Sequence, residues 1–320
     1  MNTEELPKAD LVSRPGVGGL AADASSPRYA LYLLVLGAIW GSSYLFLKVG
    51  VRDLSPPDLI EIRLLCATPL LLAFVVSRYG WAPLRSAWRV GIVLGALNAA
   101  IPFTLIAWGE KWVDSGTAAV VNSSVPIFVA ILAVWVAPGE RSTGWRLVGI
   151  VLGLVGVGIL AGVHPEGGWH GVLGIGAITL ASISYAAANL FAAKQMVHGG
   201  PVLAAASVCS ALVLLLPFAL ASLPSATPGW RSVGAGVVLG VLATAVAQVI
   251  AYRVVRLYGS SRAVLVAYLM PPFGLLYGTA FLGESLSVQK VAGLALILGG
   301  VALGAGALRL PRREPVVQTP

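Results

Sequence analysis

Side chains suited to holding a small solute recur inside stretches that are otherwise apolar. Trp40, Ser43 and Tyr44 lie in AIWGSSYLFLK. Asn98 is followed by Pro102, Asn122 by Pro126, and Tyr268 by Pro271 and Pro272. Tyr185 and Asn189 sit in another such stretch. Gln248 and Tyr252 are four apart, so they share one helix face. Buried amides and hydroxyls bond either a solute or a neighbouring helix, and both readings stand for Asn98, Asn122, Asn189 and Gln248. The rings of Trp40, Tyr185, Tyr252 and Tyr268 can stack on an amphipathic solute, hold a cation over one face, or simply pack. A proline inside a helix removes a backbone donor and frees the carbonyl one turn earlier. For Pro126 that carbonyl belongs to Asn122, and for Pro272 to Tyr268. Pro102, Pro126, Pro271 and Pro272 are therefore candidate hinges, although a neighbouring hydroxyl can also satisfy such a kink.

This is chemistry of recognition rather than of bond making. His164, His170 and His198 all fall outside the apolar stretches, and no acidic residue lies near the middle of one. An intramembrane enzyme needs a histidine pair, an acid pair or a serine–histidine set, so no catalytic residue is expected. Cys66 and Cys209 lack metal-ligand spacing, and no G-x-x-x-x-G-K-[ST] segment is present to cradle nucleotide phosphates. No metal and no cofactor are expected. Without a mid-span carboxylate to trade for a cationic drug, the expected solute is neutral or zwitterionic. Glu61, close to Arg63, is the nearest candidate for such a carboxylate.

The elements that must position these residues are helices in lipid. Of 320 residues, 58% are hydrophobic and 11% charged. Mean hydropathy is +0.88. No soluble core of this size hides so much apolar surface, so the chain reads as an integral membrane protein. The net charge of +8 does not point to nucleic acid, because the basic residues sit in short loops and form no patch. A helix needs about 20 apolar residues to cross the hydrocarbon core. Ten runs qualify, near 30–50, 58–78, 89–109, 115–138, 145–163, 171–193, 201–223, 232–254, 260–283 and 288–308. The second is the weakest, because Glu61 and Arg63 fall in its first turns; Arg63 is expected to snorkel to the interface beside Glu61 or Asp58. Trp81, Trp88, Trp145, Trp169 and Trp230 lie near span ends, where interface anchoring is expected. Glu110 and Asp114 flank Lys111 in a loop, where surface pairing is expected. With the N-terminus cytoplasmic, 15 of the 21 Lys and Arg residues fall inside, 4 outside and 2 within spans. That asymmetry places both termini in the cytoplasm. The composition of residues 1–29 reads as a solvated tail rather than a cleavable signal peptide.

One phrase is written twice. PIFVAILAVWVAPGE begins at Pro126 and PPFGLLYGTAFLGE at Pro271, and the likeness continues past Gly-Glu as GERSTGWRLVGIVLGLVGVG and GESLSVQKVAGLALILGGVA. The chain is therefore read as two copies of one five-span unit, residues 30–165 and 166–308, with tails at 1–29 and 309–320. Because five is odd, the second copy starts on the opposite side of the bilayer, giving an inverted repeat of the kind found in secondary transporters. The expected fold class is an all-α integral membrane protein of ten transmembrane helices in two inverted five-helix repeats. Glu140 and Glu284, at span ends on opposite faces, are expected to be solvated helix-end residues.

AIWGSSYLFLKVG with the arginine of LIEIRLL, GTAAVVNSSVPIFVAILAVWVAPGE, and GSSRAVLVAYLMPPFGLLYGTAFLGE together resemble an EamA-type carrier of the drug/metabolite transporter superfamily. The likeness covers roughly residues 30–307. It implies ten helices, cytoplasmic termini, a cavity between the halves, and carriage of amino acids, metabolites or drug-like amphiphiles, usually outward. One departure is the uncharged seventh run, PVLAAASVCSALVLLLP, which has no counterpart of Arg63. The resulting expectation is a secondary transporter in the plasma (inner) membrane, whose partners are a small solute and the bilayer, with no nucleic acid. Oligomeric state is open, and a monomer is compatible. The alternatives are an intramembrane enzyme and a non-transporting scaffold or sensor.

Overall fold

The computed structural model describes residues 27–136, 145–162, 168–259 and 263–304, and every regular element among them is helical. Among the described residues, eight helices are long and apolar enough to cross a membrane. They are α1 (Pro27–Gly50), α2 (Pro56–Tyr79), α3 (Trp88–Gly109), α4 (Ser115–Trp135), α6 (Trp169–Lys194), α7 (Gly200–Ala221), α8 (Trp230–Tyr258) and α9 (Leu265–Leu282). Two further apolar helices are shorter, α5 (Trp145–Gly162) and α10 (Val288–Gly304). The outward faces are apolar: Leu65, Leu180, Val213 and Phe218 are all exposed. In water this surface would drive aggregation, whereas in lipid it is the solvated side. Trp81, Trp88, Trp169 and Trp230 are also exposed at helix ends, where amphipathic rings suit the headgroup layer. Glu140 and His164 lie outside the described residues.

Helix boundaries follow local chemistry. At the start of α2, Ser55 accepts from the backbone of Asp58, and Pro56 and Pro57 occupy positions whose N–H would otherwise be unpaired. At the end of α9, Gly283 adopts a left-handed backbone, φ 69°, and the Glu284 N–H returns to the Gly278 carbonyl. A side chain at Gly283 would strain that turn, and the turn aims Glu284 back across the bundle.

Four of the long helices are irregular. α4 breaks at Ser123–Ser124, just before Pro126, and α9 opens with a 3-10 turn, Val264–Tyr268, before Pro271. α3 contains a π-helical stretch at Ala96–Ala100, and α8 a longer one at Leu239–Val246. Proline accounts for the first two breaks. In α3, Pro102 follows the π stretch directly; α8 holds no proline, so its widening has no such cause. The packing repeats as well. α2 lies on α7, α4 on α9 and α5 on α10, while α3 meets α6 and α7 just as α8 meets α1 and α2.

Close approach depends on small residues. A Cβ on Gly41 of α1 would come within 2.5 Å of the Phe273 Cβ and 3.0 Å of the Met270 carbonyl on α9, and Gly37 is similarly blocked by Leu269. The Gly37–Gly41 pair is a small-xxx-small contact of the kind that holds membrane helices together by close packing. Gly41→Val is expected to cost about 1–3 kcal/mol through overpacking. Thermal unfolding in detergent should show a midpoint lower by a few degrees, whereas Gly176→Val, facing open space, should leave it unchanged.

Candidate functional site

Polar side chains of five helices, with an aromatic ring from a sixth, converge at mid-bundle. The Tyr44 hydroxyl on α1 accepts from Asn122 Nδ2 on α4 at 2.9 Å, and Asn122 Oδ1 accepts from Ser182 Oγ on α6 at 3.3 Å. Asn122 is the last residue before the α4 break, so the break sets where this amide points. Trp40 Nε1 on α1 donates to the Ala243 carbonyl of α8 at 3.2 Å. Beside it, Arg63 Nε on α2 donates to Thr244 Oγ1 at 2.8 Å, and the Thr244 hydroxyl donates to the Leu239 carbonyl five residues back. This hydroxyl bond lies within the π-helical stretch Leu239–Val246. It directs the one hydroxyl proton away from Arg63 and leaves a lone pair for it.

Arg63 does not snorkel as its position in the first turns of α2 suggests. It is 5% exposed, with its guanidinium carbon 3.6 Å from the centre of the Phe103 ring on α3. Phe103 in turn meets Tyr185 of α6 edge-on, with ring centres 6.4 Å apart. Close packing accompanies this burial: Gly240 of α8 lies against the Arg63 backbone and Cys66, so α8 covers this part of α2. Among the described residues Arg63 forms no ion pair, and the Thr244 bond is its one side-chain hydrogen bond. Guanidinium keeps its proton even in apolar surroundings, so the centre of the bundle carries a fixed positive charge held by a hydroxyl and a ring.

Of the residues singled out from sequence, Trp40, Tyr44, Asn122 and Tyr185 belong to this cluster, and Ser43 is buried next to Tyr44. Asn98, Gln248 and Tyr268 are half-buried and make no hydrogen bond to it. Asn189 is exposed. Tyr252 donates to the Gly200 carbonyl at 2.6 Å, a tie between α8 and the start of α7. Pro102 and Pro271 are buried, Pro126 half-buried and Pro272 exposed. Sequence reasoning missed Arg63, Phe103, Ser182 and Thr244 as members. A permanent charge two turns into an apolar helix was the one available signal. A separate groove of about 520 Å³ between α2, α3 and α7 contains none of these residues. Its walls of Leu72, Leu84, Ala206 and Cys209, with Trp81 and Trp88 at the mouth, suit a lipid chain better than a polar solute.

A second polar cluster closes the end of the bundle where α1 meets α2 and α9 meets α10. Glu284 is not a solvated helix-end residue. Its carboxylate accepts from Ser115 N at 2.8 Å, Ser115 Oγ at 2.9 Å and Gly116 N at 3.0 Å, capping the start of α4. Lys290 pairs with Asp114 and donates to the Ser285 carbonyl at 2.8 Å. Asp53 accepts from Ser232 at 2.8 Å and from the Gly229 backbone at 3.2 Å, tying the α1–α2 turn to α8. Lys48 Nζ donates to the carbonyls of Glu110 and Val113 at 2.6 and 2.7 Å. Glu110, expected to pair at the surface, is fully buried instead.

A fold of this kind has known relatives. The model of the EamA-like transporter family matches the chain twice, over residues 27–162 and 172–305. The chain is 30% identical over 300 residues to an uncharacterized inner membrane transporter, YedA, of Escherichia coli (strain K12), covering 90% of this chain and 92% of that one. It is 29% identical over 298 residues to a probable amino-acid metabolite efflux pump of Salmonella typhimurium (strain LT2), covering 89% and 97%. A solved crystal structure superposes with a TM-score of 0.62 at 19% identity, over 87% of this chain and 96% of that one, which supports the fold alone. With both halves matched, and with apolar helices enclosing a polar centre, the chain belongs to the EamA-like transporter family of multi-pass membrane transporters.

Proposed function

We propose that the protein is a secondary transporter that exports a small zwitterionic or neutral metabolite, an amino acid foremost, by alternating access. The observation that carries this reading is the unpaired Arg63 guanidinium within a ring of Tyr44, Phe103, Asn122, Tyr185 and Thr244. A fixed cation at membrane depth is costly unless it meets an anion. A planar carboxylate matches its fork of donors, and the surrounding rings and amides suit the rest of an amino acid. The similarity to the probable amino-acid metabolite efflux pump of Salmonella typhimurium supports that solute class.

In this reading all ten helices cross. α5 and α10 have 18 and 17 residues; at about 1.5 Å per residue they reach roughly 26 Å, close to the hydrocarbon thickness of about 30 Å with flanking residues added. Residues 30–165 and 166–308 form inverted halves, with both tails cytoplasmic and the Glu284 cluster outside. The paired breaks in α4 and α9 and the repeated packing support the exchange of roles that alternating access needs. The helix breaks at Pro126 and Pro271 are the hinges.

Counterflow into proteoliposomes tests this. Uptake of at least one labelled amino acid is expected. Tyr44→Phe, which removes one internal hydrogen bond, should slow it by about 2- to 10-fold, and Asn122→Ala, which removes the bonds to both Tyr44 and Ser182, by more. Flux of another solute class without any amino acid would overturn the cargo, and no flux of any solute would overturn the carrier reading.

A further inference from the structure

Glu110 has no partner for either carboxyl oxygen and no exposure to solvent. It directly follows α3 at the latched end of the bundle, where the neighbouring charges are already committed and the nearby Tyr44 hydroxyl accepts from Asn122. Lys48 of α1 gives its ammonium to backbone carbonyls, including that of Glu110 itself. Asp114, at the start of α4, is paired with Lys290 of α10. Glu284 is bound to Ser115 and Gly116. Lys111 points to solvent, and His170 of α6 stacks on Trp112 rather than reaching the carboxyl. Gly109 is pressed against Gly174 and Ile178 of α6, which closes the remaining side. A bare carboxylate in such a place would lack every hydrogen bond that ionisation requires, so the neutral acid is the form that fits. Burial and the nearby Glu284 push this carboxyl well above the usual range, and Lys48 only partly opposes them.

We propose that Glu110 is a proton-binding site, loaded as the latched end closes and emptied to the adjoining water when it opens. The step is simple: a carboxylate in the open state takes one proton from solvent and becomes the acid that the closed state buries. Nothing is oxidised or reduced. The site does not depend on the identity of the solute; the opening and closing of that end, and its naming as outer, rest on the proposed alternating access and orientation. Proton binding and closure are reciprocal. The closed state holds the proton more tightly, so closure is fully favoured below the open-state pKa, in the ordinary carboxylate range. It weakens by up to tenfold per pH unit as pH rises through the window towards the higher closed-state value, then levels off.

Infrared spectroscopy of the full chain in lipid nanodiscs reads this directly, with no solute added. The carbonyl band of a protonated carboxyl should persist above the ordinary carboxylate range and vanish in Glu110→Gln. Glu61 also has two unpartnered buried oxygens, so Glu61→Gln is measured beside it. Loss of the band in Glu61→Gln but not in Glu110→Gln overturns the proposal, as does its absence from the wild type. Glu284→Ala, which frees the latch, should move the Glu110 titration back towards the ordinary range, and an unmoved titration in that variant also counts against the site. Because glutamine mimics the neutral acid in shape, Glu110→Gln should fold, with a thermal midpoint that depends less steeply on pH across the same window. A midpoint with wild-type pH dependence would again overturn it.

Discussion

Replacing Arg63 with glutamine is expected to slow amino-acid counterflow by about 10- to 100-fold, the worth of hydrogen bonds to a charged group. The thermal midpoint of the solute-free protein should stay the same or rise. The physical balance explains the split. Without a carboxylate partner, Arg63 bears an effective desolvation penalty of several kcal/mol. Against this, the variant loses the Thr244 bond and the contact over Phe103, together worth roughly 1–3 kcal/mol. Folding therefore does not need the charge, whereas a bound carboxylate does. Arg63→Lys should fall between the two, because an ammonium keeps the charge but not the planar fork. The wild type should also prefer an amino acid to the corresponding amide, which lacks the carboxylate, and the glutamine variant should lose that preference. Wild-type flux in Arg63→Gln, or a collapse of its thermal midpoint, would assign the arginine to packing instead.

The second large effect is expected at Glu284. Its carboxylate holds three donors at the start of α4, where the helix dipole also favours negative charge. Glu284→Ala removes all three bonds and leaves two backbone N–H groups facing a void. Water supplies partners for them only if that end opens. Even a net change of about 2 kcal/mol shifts the closed-to-open ratio by roughly 30-fold. A cysteine placed at Thr117, nine-tenths buried in the first turn of α4 next to the latch, reports the change once Cys66 and Cys209 are replaced by alanine. Labelling by a membrane-impermeant maleimide should rise by at least tenfold in Glu284→Ala, and less in Glu284→Gln, which keeps one acceptor. Unchanged labelling would mean that the carboxylate stabilises the helix end without gating access.

Some features follow from composition and spacing alone. Lipid cannot satisfy a backbone N–H or C=O, so continuous apolar runs have to be helical. The doubled Pro-to-Gly-Glu phrase reads as two copies of one unit, and the family model matches over residues 27–162 and 172–305. The helix breaks before Pro126 and Pro271 were legible for the same local reason, since a proline's effect reaches only one turn along its own helix. Tyr44 and Asn122 were legible as polar groups at membrane depth, although nothing in the sequence says that they bond each other.

What tertiary structure decided is which partner each polar group meets. Glu284 reads as a solvated residue because its neighbours in sequence are a loop; it is a cap because Gly283 turns it towards a helix 168 residues earlier. Arg63 reads as snorkelling because it lies in the first turns of α2, and it is central because Gly240 brings α8 over it. Glu110 reads as a surface residue between charges, and it is sealed because α6 lies against Gly109. Hydropathy is a property of each segment in isolation and survives any arrangement of the others. Pairing and burial of a charge depend on which helices pack against it, and that is settled only when contacts far apart in the chain have formed.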